Sequence, residues 1–485
     1  MQGQEPDAVE ALAQRARAEL ESLSYPAREW VVPRVHEGAA VYDAVIVGGG
    51  QNGVAIAARL LRERVTNICI LDRNRFGFEG PWVTFARMHT LRTPKHITGP
   101  DIGIPSLAVD AWWEARFGKT SWDKLDKIPR ELWQEYLHWV RRTIGVKVTN
   151  EAEALDIEPI TQGLLAVHAR IAGKMKRLFA RNVVLATGME GSGDWMVPAV
   201  IAKSLPRASY AHTADHIDFS GLAGKRIAVV GAGASAFDNA ATALEQGARS
   251  VDQFVRRERL PTVNPNRWIE FAGFLRHFAD LDDAQKWRFM KLIFDRNQPP
   301  PQDTFDRCAR HSNFNLHLGS PVTAVKKSDA GILLKTPHAE YSFDFLIVGT
   351  GFVVDLSKRP ELGRFVDRIA RWSDRYRPPP GEENGLLGDF PYLSDSFQFT
   401  EKTPGDAPFL KNVFSYTFGA MLSLANTAGI SQLKFGLDRI TAGVTRELFL
   451  ADVDRHFESL KAYDEPELVI PGDPPVARDP SSKVA

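Results

Sequence analysis

The 485-residue sequence predicts an α/β fold built from two doubly wound units, the second inserted into the first. Three observations predict it. A short apolar, β-branched run followed by a glycine cluster occurs twice, as Val45-Ile46-Val47-Gly48-Gly49-Gly50-Gln51-Asn52-Gly53 and as Ile227-Ala228-Val229-Val230-Gly231-Ala232-Gly233-Ala234-Ser235-Ala236. Each cluster opens an Ala-rich stretch with helical spacing. Each unit then passes through short apolar runs separated by turn residues and closes on a Thr-Gly turn, at Thr187-Gly188 and again at Gly349-Thr350-Gly351.

In chain order, residues 8–24 have the spacing of an amphipathic helix ahead of the first unit. Residues 41–47 read as its first strand, 54–64 as its helix and 67–71 as its second strand. A Trp-rich region follows, with Trp82, Trp112, Trp113, Trp122, Trp133 and Trp139, and 132–142 within it reads as helix. Residues 146–186 suggest a β-meander. The plan restarts with strand and glycine turn at 224–233, helix at 237–246 and strand at 251–255. A helical, Pro-rich excursion covers 264–313, and a second meander covers 321–348.

The glycine clusters have the spacing of the Rossmann-like dinucleotide fingerprint. Gly48 and Gly231 permit the tight turn, and Gly50 and Gly233 let the backbone approach a pyrophosphate. Gly53 and Ala236 let helix pack on strand. The pyrophosphate then lies over a helix N-terminus, where free N–H groups favour negative charge. Ser235 adds a hydroxyl to the second turn. Asp72 ends the strand after the first cluster, 19 residues beyond Gly53, where a carboxylate binds ribose hydroxyls and repels a 2′-phosphate. That suits FAD. The matching strand of the second unit ends in Arg256-Arg257, which suits the 2′-phosphate of NADPH. Asp252, early in that strand, is the feature that argues for NADH. The expected domains are a helical N-terminal extension (1–40), a first, FAD-binding dinucleotide domain (41–222), an inserted NADP-binding one (223–345), a return to the first together with the substrate region (346–465) and a disordered tail (466–485).

Bulk properties narrow the rest. Lys plus Arg and Asp plus Glu are 60 each, so no net field draws nucleic acid or an anionic membrane. Cys69 and Cys308 lack CxxC spacing, which excludes a dithiol redox centre. No secretory signal and no apolar run of membrane-spanning length is present, so a cytoplasmic setting is the default expectation. His212 and His216 lack an H-E-x-x-H context, and no metal is expected.

With both fingerprints placed, the chain resembles the class B flavoprotein monooxygenases, which include flavin-containing monooxygenases, Baeyer–Villiger monooxygenases and amino-acid N-hydroxylases. Gly80-Pro81-Trp82 is similar to the family's G-x-W element, which places a Trp near the flavin. Leu91-Arg92-Thr93-Pro94-Lys95 resembles a shortened L-R-T-N-x-P-K segment, and Gly349-Thr350-Gly351-Phe352 the late A-T-G-Y motif. His212 occupies the place of the His in the F-x-G-x-x-x-H signature, whose Phe and Gly fall on Pro206 and Ala208. Asn264 and the segment Phe418-Gly419-Ala420-Met421-Leu422-Ser423 resemble features of the N-hydroxylases.

The resemblance implies that NADPH passes a hydride to FAD, that reduced flavin and O2 form a C4a-(hydro)peroxyflavin, and that a small-molecule substrate is oxygenated. N-hydroxylation of an amine or amino acid is the favoured outcome. Sulfoxidation, Baeyer–Villiger oxidation and an NAD(P)H oxidase without oxygenation stay open. Lys95 and Arg92 are expected near the flavin or its oxygen adduct, His212 near the nicotinamide half or a moving domain, and Asn264 near the substrate. Each has a bland alternative: solvated loop cations, a capping histidine. The Trp-rich region could wall a dry pocket, but the tryptophans other than Trp82 fit ordinary core better. A homo-oligomer is common in the resembled family, and the sequence leaves the oligomeric state open.

Overall fold

Two sheets, the first mixed and the second all parallel, carry the two fingerprints. In the computed structural model the described residues are 6–23, 26, 28–96, 99–329, 331–426, 428–468 and 471. Of the tail 466–485, expected to be disordered, residues 469, 470 and 472–485 lie outside the described residues.

The first sheet is centred on the strand Ala39–Val47, which is buried and β-branched through Val45, Ile46 and Val47. It pairs in parallel with Ile68–Leu71 on one side and with the long strand Lys174–Gly188 on the other. The same long strand pairs antiparallel with Leu164–Ile171, and that strand with Ala152–Thr161, forming the expected first meander. Val413–Thr417 then joins the far side of Lys174–Gly188 in parallel. The chain therefore leaves this sheet at Gly188 and returns to it after the second unit. The returning helix Ile430–Ala451 packs against the fingerprint helix Gln51–Arg62.

The second sheet has five strands, all parallel, in the spatial order Phe314–His317, Ser250–Phe254, Arg226–Val230, Phe345–Val348, Tyr210–His212. It extends past both expected boundaries, because Tyr210–His212 and Phe345–Val348 belong to it. Phe345–Val348 sits beside the central strand Arg226–Val230, where only a fully apolar run can be covered on both faces. The second meander, Ala324–Ser328, Gly331–Lys335 and Glu340–Phe343, is a separate three-stranded sheet. The two chain crossings pair with each other: Gly193–Trp195 runs antiparallel to Phe352–Val354.

The Trp-rich region is core, as the spacing favours: Trp112, Trp113, Trp122, Trp133 and Trp139 are all buried in the cluster under the first sheet. The N-terminal helix Pro6–Ser22 packs onto it through Leu12, Ala13 and Ala16, and Ser106 Oγ donates to Glu19 Oε1 at 2.7 Å. Residues 353–425 do more than complete the first domain. Trp372, Leu387, Phe390, Met421 and Leu422 share a third core with Ile269, Phe278, Trp287 and Met290 from the helical excursion.

Candidate cofactor and active site

The first fingerprint is closed by backbone contacts that leave no room for a side chain. Gly48 has φ +108°, and a Cβ there would lie 2.4 Å from the Ala186 carbonyl oxygen. A Cβ on Gly53 would meet the Gly48 oxygen at 1.8 Å. Gly50 begins the helix Gln51–Arg62, and its own Cβ position clears its neighbours, with Gly80 the nearest at 3.9 Å. The turn thus packs tightly against the sheet and stays open on the helix-terminus side, where a pyrophosphate would approach.

Asp72 is buried beneath this turn. Its Oδ2 accepts the Gly49 N–H and its Oδ1 the Asn74 N–H, both at 2.8 Å. Burial raises its pKa against the pull of those two bonds. The carboxylate organises the glycine loop, and each oxygen retains a lone pair for a ribose hydroxyl. Sequence reasoning missed a second acid. Glu79, also buried, lines the cleft beside the fingerprint with Gly49, Gly50, Gln51, Gln134 and Arg141. Its Oε1 accepts from Arg141 Nη1 and Asn150 Nδ2, each at 2.7 Å, and its Oε2 from the Gly77 N–H at 2.9 Å. Burial pushes its pKa up, but His138, Asn150 and the Arg141 charge overcome that and hold it at about 2. The available signal was its place directly before Gly80-Pro81-Trp82.

Trp82 is half-buried and meets Trp133 edge-on, with ring centroids 6.3 Å apart. Trp133 Nε1 donates to Gln51 Oε1 at 3.3 Å, which ties this aromatic pair to the fingerprint helix. Thr187 and Gly188 end the strand that flanks Gly48, and Gly188 has φ +71°. Buried Asn52 Oδ1, Gln134 Oε1 and Thr187 Oγ1 have no hydrogen-bond partner among the described residues. Buried polar atoms are almost always satisfied, so unpaired acceptor oxygens on residues of and beside this fingerprint fit a bound group that offers hydroxyl donors, as the ribityl and ribose of FAD do. The residues present therefore fit FAD.

The second fingerprint repeats the construction. Gly231 has φ +136°, and a Cβ there would lie 2.1 Å from the Gly349 oxygen. A Cβ on Gly349 would in turn meet Ala236 Cβ at 2.6 Å. The turn Gly349-Thr350-Gly351 thus backs the second fingerprint. Thr350 Oγ1 donates to the Met196 oxygen, across the chain crossing. Gly233 has open space around its Cβ position, and Ser235 is exposed in the first helical turn. Arg256 is exposed and Arg257 half-buried just past the strand Ser250–Phe254, and neither has an acidic partner among the described residues. Asp252 is occupied elsewhere, with His317 Nε2 2.8 Å from its Oδ1. These groups fit NADPH.

The four polar candidates do not converge. Lys95 Nζ donates to the Trp122 oxygen at 2.6 Å and lies 5.0 Å from that indole. Arg92 pairs with Asp238 of the second fingerprint helix at 2.7 Å. Asn264 caps the short helix Pro265–Trp268, its Oδ1 accepting the Asn266 N–H at 3.0 Å. His212 is buried. Its Nδ1 accepts the Ala214 N–H at 3.1 Å, so Nε2 carries the proton and donates to the Gly351 oxygen at 3.0 Å. Burial lowers its pKa, and the neutral ring pins the Gly349–Gly351 turn to the sheet edge.

Comparisons with known proteins agree with this construction. A family model described as FAD-NAD(P)-binding matches residues 45–190. The FAD-dependent urate hydroxylase of Xanthomonas campestris pv. campestris is 45% identical over 453 residues, covering 93% of this chain and 95% of that protein. Among solved structures, ornithine hydroxylase from Pseudomonas aeruginosa is similar with a TM-score of 0.68 at 16% identity, over 84% of this chain and 100% of that one. L-lysine 6-monooxygenase from Pseudomonas syringae gives 0.63 at 17% identity, over 84% and 99%. At those identities the structural likeness establishes the shared fold. Among the described residues, no helix is long and apolar enough to cross a membrane.

Proposed function

The chain belongs to the class B flavoprotein monooxygenases, enzymes that use FAD and NADPH, and on that premise we propose that it hydroxylates urate or a closely related oxidised purine. The observation that carries this reading is the 45% identity to a urate hydroxylase along 93% of the chain. The balanced reaction takes one substrate, O2, NADPH and a proton to one hydroxylated product, water and NADP⁺. Bound flavin supplies the oxygen activation, a chemistry that belongs to the cofactor.

The chain's own residues bind, orient and shield. Gly48, Gly50 and Gly53 admit the FAD pyrophosphate to the N-terminus of Gln51–Arg62, and Asp72 and Glu79 hold ribose hydroxyls. Thr187 and Gly188 border the same cradle. Trp82, backed by Trp133, forms a wall that excludes water from the reacting face. Gly231, Gly233, Ser235 and Ala236 receive the NADPH pyrophosphate, and Arg256 and Arg257 pair with its 2′-phosphate.

A second reading, N-hydroxylation of an amine or amino acid, is favoured by the resemblance of the segment 418–423 to the N-hydroxylases. In that segment Phe418 packs edge-on against Phe352 at 4.6 Å. A panel of urate, xanthine, ornithine, lysine and cadaverine, scored by oxygenated product per NADPH oxidised, separates the two. Product from urate or xanthine, with the amines inert, supports the first reading. Hydroxylamine product from an amine, with urate inert, replaces it with the second.

A further inference from the structure

One buried carboxylate joins the two nucleotide units. Asp238 lies on the second fingerprint helix, Ala234–Glu245, with 1% of its surface exposed. Its Oδ2 accepts from Arg92 Nη2 at 2.7 Å. Its Oδ1 accepts from Thr304 Oγ1 at 3.0 Å and Arg307 Nη1 at 3.3 Å. Arg92 belongs to the first unit, on the loop that follows Trp82. Arg307 continues the network, gripping Glu245 through Nε at 2.9 Å and Nη2 at 2.8 Å and donating to the Arg87 oxygen at 3.3 Å. Beyond these contacts the seam opens into a groove of about 520 Å³ bordered by His89, Thr90, Asp303 and Arg310.

Three physical points follow. A charge as deeply buried as Asp238 is strongly destabilising when a partner is removed, so separating Arg92 from it is costly. Guanidinium is a planar, rigid fork, so Arg92 fixes direction as well as distance. Electron delivery from nicotinamide to flavin needs the reacting atoms within about 3–3.5 Å, and a displacement of about 1 Å can cost about 10²-fold. The contact lies between the loop that carries Trp82 and the helix that receives the NADPH pyrophosphate.

We propose that Arg92 and Asp238 are positioning residues, which together set the nicotinamide-binding unit against the flavin loop for reduction by NADPH. This assigns Arg92 a role through Asp238 in place of a direct contact with the flavin. It rests on the FAD and NADPH chemistry alone. Reduction needs no oxygenated substrate, so its test is independent of whether urate is the substrate.

The test is anaerobic stopped-flow reduction of the FAD-loaded full chain by NADPH, in wild type, Arg92→Gln, Asp238→Asn and the double variant. Each single change is expected to lower the limiting reduction rate at least tenfold while the NADPH Kd stays within threefold. The double variant is expected to be no slower than the slower single. Asp238→Glu keeps the charge and moves it by one methylene, so it should also slow reduction while folding normally, and it serves if Asp238→Asn does not fold. Arg92→Lys should recover part of the rate. The proposal is overturned if Arg92→Gln slows reduction and neither Asp238 variant does, if the loss appears in the NADPH Kd instead, or if all rates stay at the wild-type value.

Discussion

Gly48 lies directly against Ala186: a Cβ on the first would stand 2.4 Å from the carbonyl oxygen of the second. The contact joins the glycine turn to the strand that ends in Thr187-Gly188, and Gly48 also has φ +108°. Gly48→Ala must therefore relieve an overlap with backbone and adopt a left-handed conformation together. It is expected to cost at least ~2 kcal/mol and to abolish retention of FAD. Thermal unfolding and the flavin absorbance of purified protein measure both.

Gly233 is the contrasting case. Its φ is −77° and nothing stands within 4 Å of its Cβ position. Gly233→Ala should leave stability and FAD content unchanged. Its methyl group would project where the NADPH pyrophosphate is placed, so the KM for NADPH should rise about tenfold or more. An unchanged KM would contradict that placement.

Arg256 and Arg257 are proposed to set the cofactor preference. Replacing both with Ala should raise the KM for NADPH by about 100-fold or more, since each charge-assisted bond to phosphate contributes about 1.5–3 kcal/mol. The KM for NADH should change less than threefold. Steady-state kinetics with both donors checks this, and equal effects on the two would remove the 2′-phosphate assignment.

Glu79 has a pH signature. Its folded pKa is lowered from 4.5 to about 2, so the folded state favours the carboxylate more than the unfolded chain does. The resulting stability, about 3 kcal/mol, is present above pH 4.5 and is lost as pH falls toward 2. Glu79→Gln should therefore lower Tm at pH 7 and show a shrinking deficit as the pH drops through that window. A deficit independent of pH would mean that the hydrogen bonds from His138 and Asn150 and the Arg141 charge, which hold the carboxylate ionised, are not its source.

Both fingerprints were legible in the sequence because their signals are local. A strand, a turn with φ beyond the range of side-chain-bearing residues, and a helix occupy about ten consecutive residues each. Asp72 was legible for the same reason. What was not legible depends on distant pairings. Tyr210–His212 is a three-residue strand with no period to detect, and only its register beside Phe345–Val348 makes it part of the second sheet. The third core joins Trp287 and Trp372, whose ring centroids stand 6.3 Å apart. Lys95, Arg92, Asn264 and His212 were singled out by residue type and motif, yet their partners are a Trp122 carbonyl, Asp238, a helix N–H and Gly351. A motif identifies a polar residue without saying which group it faces, and Asp238 escaped notice because an acid within an Ala-rich helix reads as a solvated face.

The most direct measurement is oxygen-isotope labelling. FAD-loaded protein is given NADPH and urate under ¹⁸O2, and product mass is set against NADPH consumed. One ¹⁸O atom in each product molecule, with one NADPH oxidised per urate consumed, is the predicted result. NADPH oxidation that yields hydrogen peroxide and leaves urate unlabelled and unconsumed would contradict the proposed function.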